Sequence, residues 1–135
     1  MSLALSVGLL AVAVGTQAAS SLTWNGKWEN TLIYWKGPPR ITLVQKGRTV
    51  TGRHALAYYA ETPVKGVVLA CHTRAGGTIK GTVKGRKLTG TITFPNAKGV
   101  IYLELSANGR ELFGQMNVRR GPCKGSWGAF DAVRP

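Results

Sequence analysis

TIKGTVKGRKLTGTITF, residues 78–94, decides the fold. Ile79, Gly81 and Val83 fall on one face, and Thr78, Lys80, Thr82 and Lys84 on the other. Leu88, Gly90, Ile92 and Phe94 then oppose Lys87, Thr89, Thr91 and Thr93. A period of two is that of strands with one buried face. Gly85-Arg86 suits a two-residue hairpin loop with Gly first, a type II′ turn. That register pairs Val83 with Leu88, Gly81 with Gly90 and Ile79 with Ile92. A slip of one residue would bury the lysines, so the register is well specified.

The same device recurs on both sides. Asn108-Gly109 predicts a hairpin that pairs Leu105 with Leu112, Leu103 with Gly114 and Ile101 with Met116. Glu104 then faces outward beside Phe113. Lys46-Gly47 predicts pairs of Leu43 with Val50 and of Ile41 with Gly52. An apolar–x–Gly unit repeats at Val50–Gly52, Ile79–Gly81, Leu88–Gly90 and Leu112–Gly114. Glycine weakens a strand, so its recurrence points to sharp coiling or close approach in a narrow barrel. The fold expected is all-β: an antiparallel up-and-down barrel of about eight strands. The first strand lies near 23–30 and the last near 125–130, with Trp28 and Trp127 bringing the ends together inside.

The opening strand, Gly26-Lys27-Trp28-Glu29-Asn30-Thr31-Leu32, followed by Gly52 after a hairpin, resembles the start of the avidin and streptavidin family. That resemblance implies an eight-stranded meander barrel of the calycin/avidin-like kind and places Asn30 near a ligand-binding end. The later strands depart from it, reading Ile101-Tyr102-Leu103 and Gln115-Met116-Asn117 where the family has tryptophans around its biotin site. The architecture carries over and biotin does not.

Residues 3–14, LALSVGLLAVAV, are apolar and uncharged, and small residues follow, with Thr16 and Ala18 at the −3 and −1 positions of a cut after Ala18. This pattern reads as a signal peptide over 1–18, although no Lys or Arg precedes the apolar run. The single barrel domain then spans 19–135. The protein is expected to be secreted or periplasmic, and not an integral membrane protein after processing. In an oxidising compartment the chain's two cysteines predict one bridge, Cys71–Cys123.

In a meander, successive connections alternate between the two ends. The turns at Lys46-Gly47, Gly85-Arg86 and Asn108-Gly109 therefore share one end, with Lys46, Arg48, Lys84, Arg86, Lys87 and Arg110. The long connections, near 31–39, 55–77, 95–99 and 119–124, share the other, which also receives both cysteines. A further strand at Val67–Ala70 would reopen that parity. Long loops on a rigid barrel are where binding usually resides. The candidate ligand-binding residues at this mouth and its edge are Asn30, Tyr34, Trp35, Arg53, Tyr58, Tyr59, His72, Arg74, Arg119 and Arg120.

The chain of 135 residues holds 18 Lys and Arg against 5 Asp and Glu, a formal net charge of +13, and its 44% hydrophobic content argues against a disordered basic tail. Two His, two oxidised Cys and so few acids make a metal site improbable, and no cofactor is expected. His54 shares the parity of Val50 and Gly52, so it reads as an inward, hydrogen-bonded histidine. No carboxylate pair stands at a spacing that suits glycoside hydrolysis, and no nucleophile elbow, phosphate loop or dedicated nucleic-acid-binding motif occurs. The function expected is that of an exported, non-catalytic binding protein for a polyanionic ligand or surface: acidic polysaccharide, envelope or extracellular nucleic acid. The alternatives are a carrier of a small apolar or amphipathic ligand in the barrel interior, and an inhibitor that acts through its loops. A hollow barrel would favour the carrier and a filled one the polyanion binder.

Overall fold

A computed structural model describes residues 23–64 and 67–135, of which 61–64 and 67–69 as backbone only. The signal peptide expected over 1–18 lies outside the described residues. Strands β1 (Gly26–Asn30), β3 (Arg40–Lys46), β4 (Thr49–His54), β7 (Gly77–Lys84), β8 (Lys87–Phe94), β9 (Ala97–Leu105), β10 (Glu111–Arg120) and β11 (Trp127–Val133) close into an antiparallel barrel. Each strand pairs with its neighbour in the meander, and β1 closes the ring by pairing with both β3 and β11. Three further strands, β2 (Trp35–Lys36), β5 (Ala57–Val64) and β6 (Val67–His72), form a separate small sheet in the order β2-β5-β6.

The barrel carries the alternation of the sequence directly. Val83 faces Leu88, Gly81 faces Gly90 and Ile79 faces Ile92, while Leu105 faces Leu112 and Ile101 faces Met116. Phe113 sits beside Glu104 on the outside. At Gly81 and Gly90 the two strands approach so closely that a Cβ on Gly90 would stand 2.5 Å from the Gly81 Cα, and one on Gly81 2.5 Å from the Thr89 carbonyl oxygen. The repeated glycines thus allow neighbouring strands to coil tightly.

One register differs from expectation. Leu43 pairs with Gly52, Gln45 with Val50 and Ile41 with His54, two residues away from the pairing read around Lys46-Gly47. The loop is Gly47-Arg48, closed by Lys46 and Thr49. Gly47 has φ +60°, as Gly85 has φ +62°, while Arg48 and Arg86 stay out of the positive-φ region. A type II′ loop needs that conformation at its first position, where only glycine takes it without strain. A two-residue slip preserves the faces, so the core is unchanged.

Val67–His72 is a strand, and the parity survives it. β5 and β6 form a hairpin that leaves and returns to the same end, and β4 pairs directly with β7. The connection expected near 95–99 shrinks to the two residues Pro95 and Asn96, because Phe94 pairs with Ala97. The closing strand also runs later than expected, to Val133. Its inward residues are Gly128, Phe130 and Ala132, so Trp127 points outward and is 57% exposed, whereas Trp28 is buried inside. At the turn end Arg134 ties the end of β11 to the start of β1. Its guanidinium lies 4.4 Å from the Trp28 ring centroid and donates to the carbonyls of Gly109 and Asn25.

Large side chains fill the interior. Trp24, Trp28, Ile41, Leu43, Ile79, Leu88, Ile92, Ile101, Leu105, Leu112 and Met116 are all at most 1% exposed.

His54 is buried among these groups. Its Nδ1 accepts from the Leu56 N–H at 3.1 Å, and its Nε2 donates to the Thr93 carbonyl at 2.9 Å. This is the neutral tautomer with both nitrogens satisfied. Burial pushes its pKa below the ordinary value of 6.5. Protonation of Nδ1 would set one N–H against another. Above about pH 6.5 both folded and unfolded chains are neutral here. Below it the unfolded chain takes up a proton that the folded chain refuses, so stability is lost as pH falls through the folded pKa. Denaturant midpoints should therefore decline as pH falls below about 6.5, and much less so in His54→Gln. An identical decline in His54→Gln would remove this histidine as the cause.

Candidate functional site

The open end of the barrel is capped by the small sheet, which is knit together by two internal contacts and fastened to the barrel by a disulfide. The Tyr58 N–H donates to the Thr73 hydroxyl, and the Thr73 N–H donates to the Tyr58 carbonyl, each at 3.0 Å. β2 pairs with β5 through Trp35 and Tyr58. The Cys71–Cys123 disulfide, with Cα atoms 5.4 Å apart, fastens β6 to the loop between β10 and β11. The bridge expected from cysteine usage is thus formed.

The aromatic residues expected at this mouth divide into plug and rim. Trp35 is only 3% exposed. Its ring packs on Tyr58, Phe94 and Phe130 at centroid distances of 5.0, 6.2 and 5.6 Å, and its indole N–H donates to the Ala129 carbonyl at 3.0 Å. It closes the barrel and offers no face to a ligand. Tyr58 is buried beside it, with its hydroxyl 2.8 Å from that of Ser126 and its ring against Gly128. Tyr34 is half-buried and donates to the same Ala129 carbonyl at 2.8 Å. Burial raises its phenol pKa above 10, so it remains a donor at neutral pH. Tyr59 is exposed and stacks on the His72 ring, centroids 4.9 Å apart and planes 17° from parallel.

Asn30 acts on the loop itself. Its amide donates to the Leu32 carbonyl and its carbonyl accepts the Leu32 N–H, which fixes the chain as it leaves β1. Arg53 is exposed on the outer wall, at the mouth end of β4 beside Thr42 and Thr78. Arg74 is exposed, its backbone N–H donating to the Asn96 side chain. Arg119 and Arg120 are exposed at the end of β10, where the ladder to β9 shifts register.

What gathers at the mouth is an open cleft of about 680 Å³ between the β1–β3 loop, the cap hairpin and the start of β11. Ile33, Tyr34, Lys36, Tyr59 and Trp127 line it. Ile33 is 85% exposed and Trp127 57%. Ile33, Lys36 and Trp127 were absent from the residues expected there. Trp127 was legible only with the phase of β11, which places it opposite in sense to Gly128 and Phe130.

The structure also brings together two carboxyls that are remote in sequence. Glu111 and Asp131 meet on the outer wall of β10 and β11, and Asp131 accepts from the Thr31 hydroxyl at 2.7 Å. Hydrogen bonding to Asp131, and then its repulsion, raise the Glu111 pKa above the ordinary value. The cationic groups remain largely uncompensated: the one ion pair among the described residues joins Arg40 and Glu29 at 3.7 Å.

Comparison of the chain with family models, with curated proteins and with solved structures returned no match to any of them.

Proposed function

We propose that this protein is an exported, non-catalytic binder of polyanionic ligands, in which a filled, avidin-like barrel serves as a rigid carrier of surface charge and of an aromatic mouth. The observation that carries this reading is the set of exposed Lys and Arg side chains left without acidic partners on a chain of net charge +13. Such a surface attracts anionic polymers over a Debye length and gains affinity by releasing their counterions. At the mouth, Trp127 and Tyr59 supply exposed rings beside Lys36. A ring stacked on a ligand contributes affinity that salt does not screen. The Cys71–Cys123 bridge supports an oxidising, extracytoplasmic location, and the signal-peptide reading of 1–18 agrees with it.

The test is a salt titration with dextran sulfate and with uncharged dextran. Dextran sulfate should bind at about 0.15 M salt and weaken steeply as salt rises, while the uncharged polymer does not bind. Equal binding of the two polymers, or none of either, would overturn the reading.

A further inference from the structure

The registers of five successive barrel strands place Arg53 of β4, Thr78 of β7, Thr93 of β8, Lys98 of β9 and Arg120 of β10 in one row across the outer wall. Arg53 pairs with Thr78, Thr93 with Lys98, and Lys98 with Arg120. The Thr78 and Thr93 hydroxyls join the halves at 2.8 Å. All three cations are exposed, and no carboxylate stands in the row. Beside Arg53 the wall opens into a groove of about 580 Å³ that reaches Thr42 and Lys80. At the other end, Arg120 adjoins Arg119, so the row follows the outer wall around the mouth end of the barrel.

With strands about 4.8 Å apart, the row spans roughly 19 Å, with about 14 Å between Arg53 and Lys98 and about 5 Å between Lys98 and Arg120. We propose that this row is the track for an extended anionic polysaccharide. Its sulfate or carboxylate groups pair with Arg53, Lys98 and Arg120, and its hydroxyls meet Thr78 and Thr93. This assignment rests on the polyanion reading and adds to it a ligand class and a path. Nucleic acid suits the row less well. No aromatic side chain stands in it for a single strand to stack on, and a duplex is too stiff to follow a wall that curves over five strands.

The experiment measures binding of sulfated dextran oligosaccharides, graded in length, and of an oligothymidylate to the wild type and to two double variants of equal charge. Arg53→Ser/Lys98→Ser removes two cations of the row, and Lys84→Ser/Lys87→Ser removes two from the turn end. The row variant should weaken sulfated oligosaccharide binding about tenfold and flatten its salt dependence by about two ions, while the turn-end variant loses less than about twofold. Affinity should climb with oligosaccharide length up to about 19 Å and then level off. Equal losses in the two variants, or no dependence on length, would overturn the track while leaving the polyanion reading intact. Oligothymidylate that binds as tightly and with the same dependence on Arg53 and Lys98 would overturn the polysaccharide assignment. A wild type that binds no polyanion would overturn the track together with the reading beneath it. All four substituted side chains are exposed, so unchanged thermal midpoints are expected and confine the comparison to binding.

Discussion

Trp35→Ala should lower stability by about 3–5 kcal/mol, the cost of a fully buried Trp replaced by a cavity. The ring is packed on Tyr58, Phe94 and Phe130, and its N–H meets the Ala129 carbonyl, so truncation both opens the barrel mouth and removes one donor from that carbonyl. The thermal midpoint should drop by on the order of 10–20 °C. Below that midpoint, salt-sensitive binding of dextran sulfate should persist, because the cations lie elsewhere. Trp127→Ala should do the converse. Its ring is more than half exposed, so the midpoint should move by no more than about 2 °C, while the salt-resistant part of binding falls. A Trp35→Ala protein as stable as the wild type but deficient in binding would show that Trp35, rather than Trp127, faces the ligand.

Loss of the disulfide should be the second large effect. Cys71 and Cys123 are 52 residues apart, and the chain-entropy model assigns such a loop about 4 kcal/mol. The effect should be local before it is global. The bridge fastens β6 to the β10–β11 loop, whereas the ladders from β7 to β10 are held by backbone pairing and a filled core. In Cys71→Ser/Cys123→Ser, amide exchange should accelerate first at Tyr58 and Thr73 within the cap, while Ile79 and Ile92 stay protected. Uniform acceleration over the whole barrel would mean that cap and barrel open as one unit. Alkylation of the unreduced protein should find no free thiol. Two alkylated cysteines would remove the bridge from the native state.

The barrel was legible because its strands bury one face, and period two then dictates both alternation and register. Residues 78–94 and the Leu105–Leu112 hairpin needed nothing beyond that. The slip at Gly47 arose because hydrophobic matching cannot tell registers two residues apart, since both keep the same side chains inside. Turn stereochemistry decides there, and the rule that places Gly85 first in its loop places Gly47 first as well. The mouth was less legible. From the sequence, Trp35 and the tyrosines fit packing over the barrel end as well as contact with a ligand, and only three-dimensional packing shows that the Trp35 ring is the plug. The outward turn of Trp127 follows from a register with β10 that no local signal sets. The meeting of Glu111 with Asp131, and the row from Arg53 to Arg120, join residues far apart in the chain. Such groupings appear only when every intervening register is known.

The most direct test of a ligand held on the outside of a filled barrel is a chemical-shift map of the wild type titrated with a sulfated oligosaccharide. The largest changes should fall on Arg53, Thr78, Lys98 and Arg120 and on the Trp127 indole, with Trp28, Ile101 and Met116 unmoved. Changes concentrated at Trp28, Ile101 and Met116, with the outer row silent, would contradict the account and put the ligand inside the barrel.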